Sequence, residues 1–311
     1  MNLGFGSVYV SSRKAKACDE GSLLIFFLWL SPAAAHPHPS CFRSGCRADQ
    51  VGTRILSRVG RIFFQLTFFF LLRDRSRDWC FPFSSLAADL VNEANCKALV
   101  AELSKRETRL HVLFNNAGAT WGDTFEDYPE EAWKKLFSLN VFGLFSLARA
   151  CVPLLEKGAT HDDPARIINV ASIAGLSTSR TNNAPAYLSS KAAVLHLNGY
   201  LANQVSDKNI SVNAISPGIF PSRMSRYYTD NPEIKKAALS SIPLGLSCHS
   251  LTPLFWPFFV LTLSFLFLVP GRFGLIDDMA GLALFLSSKA SAYLTGSNIV
   301  IDGGSLIGSK M

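Results

Sequence analysis

Ala186-Tyr187-Leu188-Ser189-Ser190-Lys191-Ala192-Ala193 is the stretch that decides how this chain is read. On a helix, residues four apart share a face, so Tyr187 and Lys191 bring a phenol beside an ammonium. Fifteen residues before the tyrosine stands Ser172, in Val170-Ala171-Ser172-Ile173-Ala174-Gly175. The apolar run Arg166-Ile167-Ile168-Asn169-Val170 reads as a buried strand giving way to that loop. A serine at a strand end, a tyrosine and a lysine are therefore brought into one neighbourhood.

Working outward, the pattern repeats. His111-Val112-Leu113-Phe114 reads as a short buried strand running into Asn115-Asn116-Ala117-Gly118. Ile210-Ser211-Val212-Asn213-Ala214-Ile215 reads as another, ending in the turn Ser216-Pro217-Gly218, and Ser297 to Ile301 as a last one before Asp302-Gly303-Gly304. Helical stretches separate them: Ala94 to Ser104, Glu130 to Leu155, Tyr187 to Val205 and Asp278 to Leu286. The β-branched run Ser7-Val8-Tyr9-Val10-Ser11 adds a strand at the front, and Ala15 to Glu20 has the residues to start a helix. Strands alternating with helices predict an α/β fold with a parallel sheet covered on both faces. Ligands of such sheets gather at the carboxyl ends of the strands, which places Asn115, Ser172 and Pro217-Gly218 on one rim.

At 311 residues, 49% apolar and only 17% charged, the chain can bury a large core, and overall disorder is excluded. Its net charge of +7 raises the question of nucleic acid. Much of the excess sits in one segment, at Arg43, Arg47, Arg54, Arg58, Arg61, Arg73, Arg75 and Arg77, without the aromatic interleaving that nucleic-acid surfaces use. No nucleic-acid partner is expected. Seven cysteines without a Cys-x-x-Cys pair speak against a disulfide framework and for a reducing, cytoplasmic setting. His36, His38, Cys41 and Cys46 cluster, but prolines interrupt them and no metal site is expected.

Two segments break the pattern. Residues 21–84 carry apolar blocks at Leu23–Leu30 and Ile62–Leu72, both too short to span a bilayer. Residues 246–270 carry a second Phe/Leu-rich run. Phe, Leu, Pro and Ser have pyrimidine-rich codons, and both segments look like translated intron sequence upstream of a splice acceptor. The alternative for Leu251 to Val269 is a transmembrane helix giving membrane association. It is uncharged and of spanning length, though Pro253 and Pro257 interrupt its first half. The flanks on both sides belong to one soluble pattern. The expected organisation is a remnant strand and helix start at 1–20, an insertion at 21–84, a catalytic core at 85–245, a hydrophobic insertion at 246–270, and the rest of the same domain at 271–311.

Asn115-Asn116-Ala117-Gly118, Asn140, Ser172, Tyr187-x-x-x-Lys191 and Pro217-Gly218, in that order, resemble the short-chain dehydrogenase/reductase family. The resemblance runs from about Ser85 to Gly245 and resumes from Gly271 to Gly304, nearest to its 3-oxoacyl-carrier-protein reductase and rhamnolipid-type branch. It implies a Rossmann-like doubly wound sheet, NADP(H) as cofactor, a small carbonyl or acyl substrate, and a homo-dimer or tetramer. It implies that Tyr187 is the general acid/base, that Lys191 lowers its pKa and holds the nicotinamide ribose, that Ser172 orients the carbonyl, and that Asn140 anchors a relay water. The other reading of Asn140 is an asparagine that only satisfies backbone. On the cofactor side the resemblance assigns Asp89 and Leu90 to the adenine and Asn116, Ala117 and Gly118 to the ribose. It gives Pro217, Gly218, Ile219 and Ser222 to the nicotinamide end. Where the family carries an acidic residue that selects NAD, this chain has Arg13 and Lys14, which suit a 2'-phosphate and hence NADP.

The chain departs from the family at its front. The strand, glycine-rich turn and helix that cradle the pyrophosphate are missing, and Gly4-Phe5-Gly6 does not replace them. The sheet is then expected to be truncated, with its central strand lost, strand edges unpaired, and NADP bound weakly or not at all. Three functions are open: a reductase of 3-oxoacyl thioesters, an inactive remnant or mis-spliced product, and a membrane-tethered protein.

Overall fold

In the computed structural model of the chain, residues 86–178, 183–222, 224–244 and 271–308 are described in full, and the backbone of 8–11, 25–28 and 83–85 with them. Gly4-Phe5-Gly6, Arg13, Lys14, the His36/His38/Cys41/Cys46 cluster and the runs Ile62–Leu72 and Leu251–Val269 lie outside the described residues.

The strands are β1 (Val8–Ser11), β2 (Ile25–Leu28), β3 (Phe83–Ser85), β4 (Val112–Asn115), β5 (Ala165–Val170), β6 (Ile210–Pro217) and β7 (Asn298–Ile301). They form one sheet in the order β3-β1-β2-β4-β5-β6-β7. From β4 to β7 every pairing is parallel, as the alternation of strands and helices requires. One expectation is corrected here. The slot beside β4, expected to be empty, holds β2, which pairs antiparallel with both β1 and β4. The apolar run Ile25-Phe26-Phe27-Leu28 supplies backbone to two edges that would otherwise be unpaired.

The helices are α1 (Glu93–Ser104), α2 (Glu130–Phe137), α3 (Leu144–Gly158), α4 (Pro185–Val205), α5 (Arg226–Asp230), α6 (Pro232–Ser240), α7 (Ile276–Ser287) and α8 (Ser305–Gly308). Helices cover both faces of the sheet, and the period-two alternation of the strands decides which residue meets which layer. Leu113, Ile167 and Val212 face one way, into a core with Leu99 and Leu103 of α1, Leu147 and Leu155 of α3, and Val194 and Leu201 of α4. Val112, Ile168 and Ile215 face the other way, against Met279 and Leu286 of α7.

Sequence spacing predicts one helix over Glu130–Leu155. The structure breaks it with a π-helical segment at Ser138–Gly143 that joins α2 to α3 and contains Asn140. A π segment inserts one residue into the helical ladder, which re-aims a side chain, and such segments concentrate at functional sites. Glu130–Gly158 as a whole is long and apolar enough to cross a membrane, but half of its most apolar window is buried within the domain.

Candidate active site

The carboxyl ends of β4, β5 and β6 meet at one rim, where Asn115, Val170 and Pro217 end their strands. Beyond β5, Ser172 is the N-cap of a 3-10 turn, Ile173–Gly175, and its Oγ accepts from the Ala174 N–H at 3.1 Å. Gly175 lies flat on α4. A Cβ there would stand 2.7 Å from the Lys191 carbonyl carbon and from the Ala192 nitrogen. Only glycine permits this approach, and the approach brings Ser172 against the helix that carries Tyr187 and Lys191.

Pro185 opens α4 in the first turn, where its missing N–H costs nothing. One turn on, Tyr187 and Lys191 project together, with the Lys191 Nζ 5.8 Å from the centre of the tyrosine ring. Lys191 is 4% exposed. Its Nζ donates to the Val170 carbonyl at 2.7 Å, which fastens α4 to the end of β5. Burial pulls the ammonium down to about 8, so it still carries its charge at neutral pH.

Within the protein alone, Tyr187 differs from expectation. Its pKa is raised, not lowered: burial is the dominant cause and the Tyr228 phenol adds to it, while the hydrogen bond with Ser172 pulls the other way. Removal from water outweighs that hydrogen bond, because a phenolate loses more solvation than one donor returns.

Asn140 is fully buried. Its Oδ1 accepts from the Ala119 N–H at 2.9 Å, and its Nδ2 donates to the Ala119 carbonyl and to Ser190 Oγ, both at 3.0 Å. Both amide hydrogens are thus committed to protein. A water can be held there only by a remaining lone pair or by the backbone of the π segment, so the side chain does the backbone-satisfying work of the alternative reading.

The expected cofactor residues are partly assembled. Ala117 and Gly118 are buried between β4 and the Asn140/Lys191 pair, and Asn116 is half-buried beside them. The space a Cβ at Gly118 would fill lies 3.5 Å from Lys191 Nζ and 3.4 Å from Asn140 Oδ1. Pro217 and Gly218 close β6, where the Gly218 N–H donates to the Ile301 carbonyl at 2.9 Å. Ile219 follows, lining a cavity of about 200 Å³ with Phe220, Ile242, Leu244, Arg272 and Asp302. The Tyr187 cluster does not line that cavity. Ser222 is exposed and turned onto Ser225, whose Oγ takes the Ser222 N–H at 2.8 Å. Asp89 accepts from the Val91 N–H at 3.3 Å. Leu90 is 1% exposed and part of the core, which leaves only its backbone to meet an adenine.

Among the described residues, a dinucleotide therefore finds partners at one end and not at the other. At the nicotinamide end, a glycine wall, a buried lysine and a phenol converge, a donor set suited to a ribosyl group. At the pyrophosphate end, β2 runs antiparallel to β4, with Phe26 opposite Phe114 and Leu28 opposite Val112, so its amino end is at the rim. A strand that begins at the rim cannot lead there into a helix N-terminus, the element that holds phosphate.

Two features escape the sequence. The π segment has no periodic signature, and Ser190, inside the quoted stretch, carries no signal beyond its place between Tyr187 and Lys191. Tyr228 stands in α5, edge-on to Tyr227 with ring centres 5.3 Å apart, and its phenol adds to the upward shift of Tyr187.

Parallel sheet, rim serine, and paired tyrosine and lysine define a dehydrogenase class, and residues 77–233 match the family described as short chain dehydrogenase. The chain belongs to the short-chain dehydrogenase/reductase family, a family of oxidoreductases. It is 38% identical over 220 residues to the rhamnolipids biosynthesis 3-oxoacyl-[acyl-carrier-protein] reductase of Pseudomonas aeruginosa, covering 71% of this chain and 75% of that one. It is 32% identical to the 2-dehydro-3-deoxy-D-gluconate 5-dehydrogenase of Bacillus subtilis, covering 71% and 74%. Among solved structures, the Pseudomonas aeruginosa RhlG/NADP active-site complex is similar with a TM-score of 0.62 and 37% identity, over 72% of this chain and 77% of that one.

Proposed function

We propose that this chain is an NADPH-dependent carbonyl reductase whose substrate is a 3-oxoacyl thioester, with Tyr187 as the proton donor. The observation that carries the reading is the pairing of part-buried Tyr187 with buried Lys191 on α4, beside Ser172 at the strand-end rim. The substrate class rests on the 38% identical relative, and the choice of NADP on the solved NADP complex and on Arg13 and Lys14.

The raised pKa of Tyr187 has a direct consequence. At neutral pH the phenol is fully protonated, which suits it to give a proton to a developing alkoxide and not to remove one. Ser172 bonds to the phenol in the free chain, and its single hydroxyl proton would turn to the substrate's carbonyl oxygen when that oxygen arrives. Lys191 keeps a positive charge beside the phenolate left behind, and Asn140 fixes the loop through Ala119. Asn116, Ala117, Gly118, Pro217, Gly218, Ile219 and Ser222 would hold the nicotinamide side, with Asp89 and the Leu90 backbone toward the adenine. When bound, a nicotinamide cofactor would supply the hydride, and its oxidised form would add positive charge that favours the phenolate.

The support for a homo-dimer or tetramer is the apolar surface left on the long helices, where Trp133, Phe142 and Tyr200 are 37%, 60% and 52% exposed. A cytoplasmic location follows from the same reading.

A second reading, an inactive family member, is favoured by the antiparallel β2 in the slot where a phosphate-binding turn would have to begin. An NADPH oxidation assay with an acetoacetyl thioester separates the two. Turnover abolished by Tyr187→Phe supports the reductase; an inert chain that shows no NADPH binding by fluorescence supports the second reading.

A further inference from the structure

Ser190 is 0% exposed. Its single hydroxyl is used twice. It donates to the Tyr187 carbonyl at 2.8 Å and accepts from Asn140 Nδ2 at 3.0 Å. The directions are fixed by chemistry: a carbonyl only accepts, so the hydroxyl proton goes to Tyr187, and its lone pair must take the amide proton. The neighbouring Ser189 is exposed and makes no comparable bridge among the described residues.

The bridge links two halves of the site. Asn140 grips both backbone groups of Ala119, the residue after Gly118. From there the bonds run through Ser190 to the backbone of Tyr187, the first turn of α4. The glycine wall on the loop after β4 and the phenol on α4 come from separate elements, and this path ties one to the other. The back-bond from the hydroxyl to the carbonyl three residues earlier holds the backbone of the turn that carries Tyr187.

We infer that Ser190 is a positioning residue for proton donation: its hydroxyl sets where the Tyr187 phenol stands relative to Ser172 and the Gly118 wall. The inference rests on the reading of Tyr187 as proton donor. Loss of the hydroxyl leaves the Asn140 amide without an acceptor in a closed space, and the first turn of α4 relaxes away from the π segment. The phenol then loses alignment with Ser172, the group that holds its pKa down against burial. Lys191 on its own helix and Tyr228 on α5 are the other titratable groups that face it.

The test compares Ser190→Ala and Ser190→Thr with the unmodified chain. Threonine keeps the hydroxyl and the back-bond, and alanine removes the hydroxyl and both bonds with it. With tyrosine labelled at the carbon bearing the hydroxyl, and the Tyr187 resonance assigned by its loss in Tyr187→Phe, the titration of Tyr187 is followed by NMR. The expected result is an upward shift in Ser190→Ala that is absent in Ser190→Thr. In the acetoacetyl-thioester assay, kcat is expected to fall roughly ten- to hundredfold in Ser190→Ala with KM within about twofold, and to recover in Ser190→Thr. An unchanged Tyr187 titration in folded Ser190→Ala overturns the proposal, whatever happens to kcat. If alanine does not fold, Ser190→Cys, a weaker hydrogen-bonding group, takes its place, and an unshifted titration counts against the proposal in the same way. Failure of the proton-donor reading is visible separately, as turnover that survives Tyr187→Phe or a chain with no turnover at all; the titration still decides the role of Ser190.

Discussion

The side-chain amide of Asn140 pairs with both backbone groups of Ala119, taking its N–H at 2.9 Å and giving to its carbonyl at 3.0 Å, as a neighbouring strand would. The π segment is what aims it there, and the pairing holds the loop after β4 against the α2–α3 helix.

Replacing Asn140 by alanine orphans two buried backbone groups together with the Ser190 acceptor. Each buried group left unpaired costs about 1–3 kcal/mol, so Asn140→Ala is expected to lose about 3 kcal/mol of stability. Urea unfolding followed by circular dichroism measures it. A midpoint unchanged from the parent chain would show that the loop is held by something else.

Gly175→Ala tests the contact between the Ser172 turn and α4. The added methyl would meet the Lys191 carbonyl carbon and the Ala192 nitrogen at 2.7 Å, both backbone atoms that cannot step aside. The turn must lift away, at a cost of about 1–3 kcal/mol, and Ser172 leaves Tyr187. Thermal melting is expected to show the destabilisation, and kcat to fall more than the melting temperature alone explains. A fully active and equally stable variant would contradict the close approach.

Acid sensitivity has a named source in His111, just ahead of β4. Burial is the main cause that brings its pKa from 6.5 down to about 4, with the Arg109 and Arg166 charges helping and Asp163 opposing. Between those two values the unfolded chain binds the extra proton and the folded one does not, so unfolding free energy rises with pH across the window. The contribution is complete above 6.5 and is lost on acidification toward 4. His111→Gln is expected to flatten this part of the stability curve by about 2 kcal/mol, discounted for the ring's partial exposure. Parallel curves for the two chains would assign the acid sensitivity to the carboxylates.

The flanks of residues 246–270 meet. The Arg272 N–H donates to the Leu244 carbonyl at 3.3 Å, and the Leu244 N–H is held by the Gly303 carbonyl at 2.9 Å. Joining Gly245 to Gly271 makes Leu244-Gly245-Gly271-Arg272, in which that same bond closes a four-residue turn with two glycines at its centre. A chain lacking 246–270 is therefore expected to fold cooperatively, with a melting temperature equal to or above that of the full chain. Loss of the cooperative transition would show that the segment is part of the fold.

Alternating apolar strands and helices were enough to place β4 to β7, the helices α1, α4 and α7 and the rim where Asn115, Ser172 and Pro217 end up, because burial periodicity is a local property of sequence; the short α5 and α6 between β6 and β7 carried no such signal. The Tyr187–Lys191 spacing was enough to put phenol and ammonium on one helix face. Tertiary structure alone decided the rest. Which way Asn140 points depends on a π segment that no periodicity encodes. Whether Tyr187 sits above or below its ordinary pKa depends on how much water the packed helices leave around it. What fills the slot beside β4 depends on which backbone is nearby to pair, and Ile25–Leu28 took it in the antiparallel sense. Ser190 belongs with these: it was in plain view between the two functional residues, and only the fold brought Asn140 to its hydroxyl.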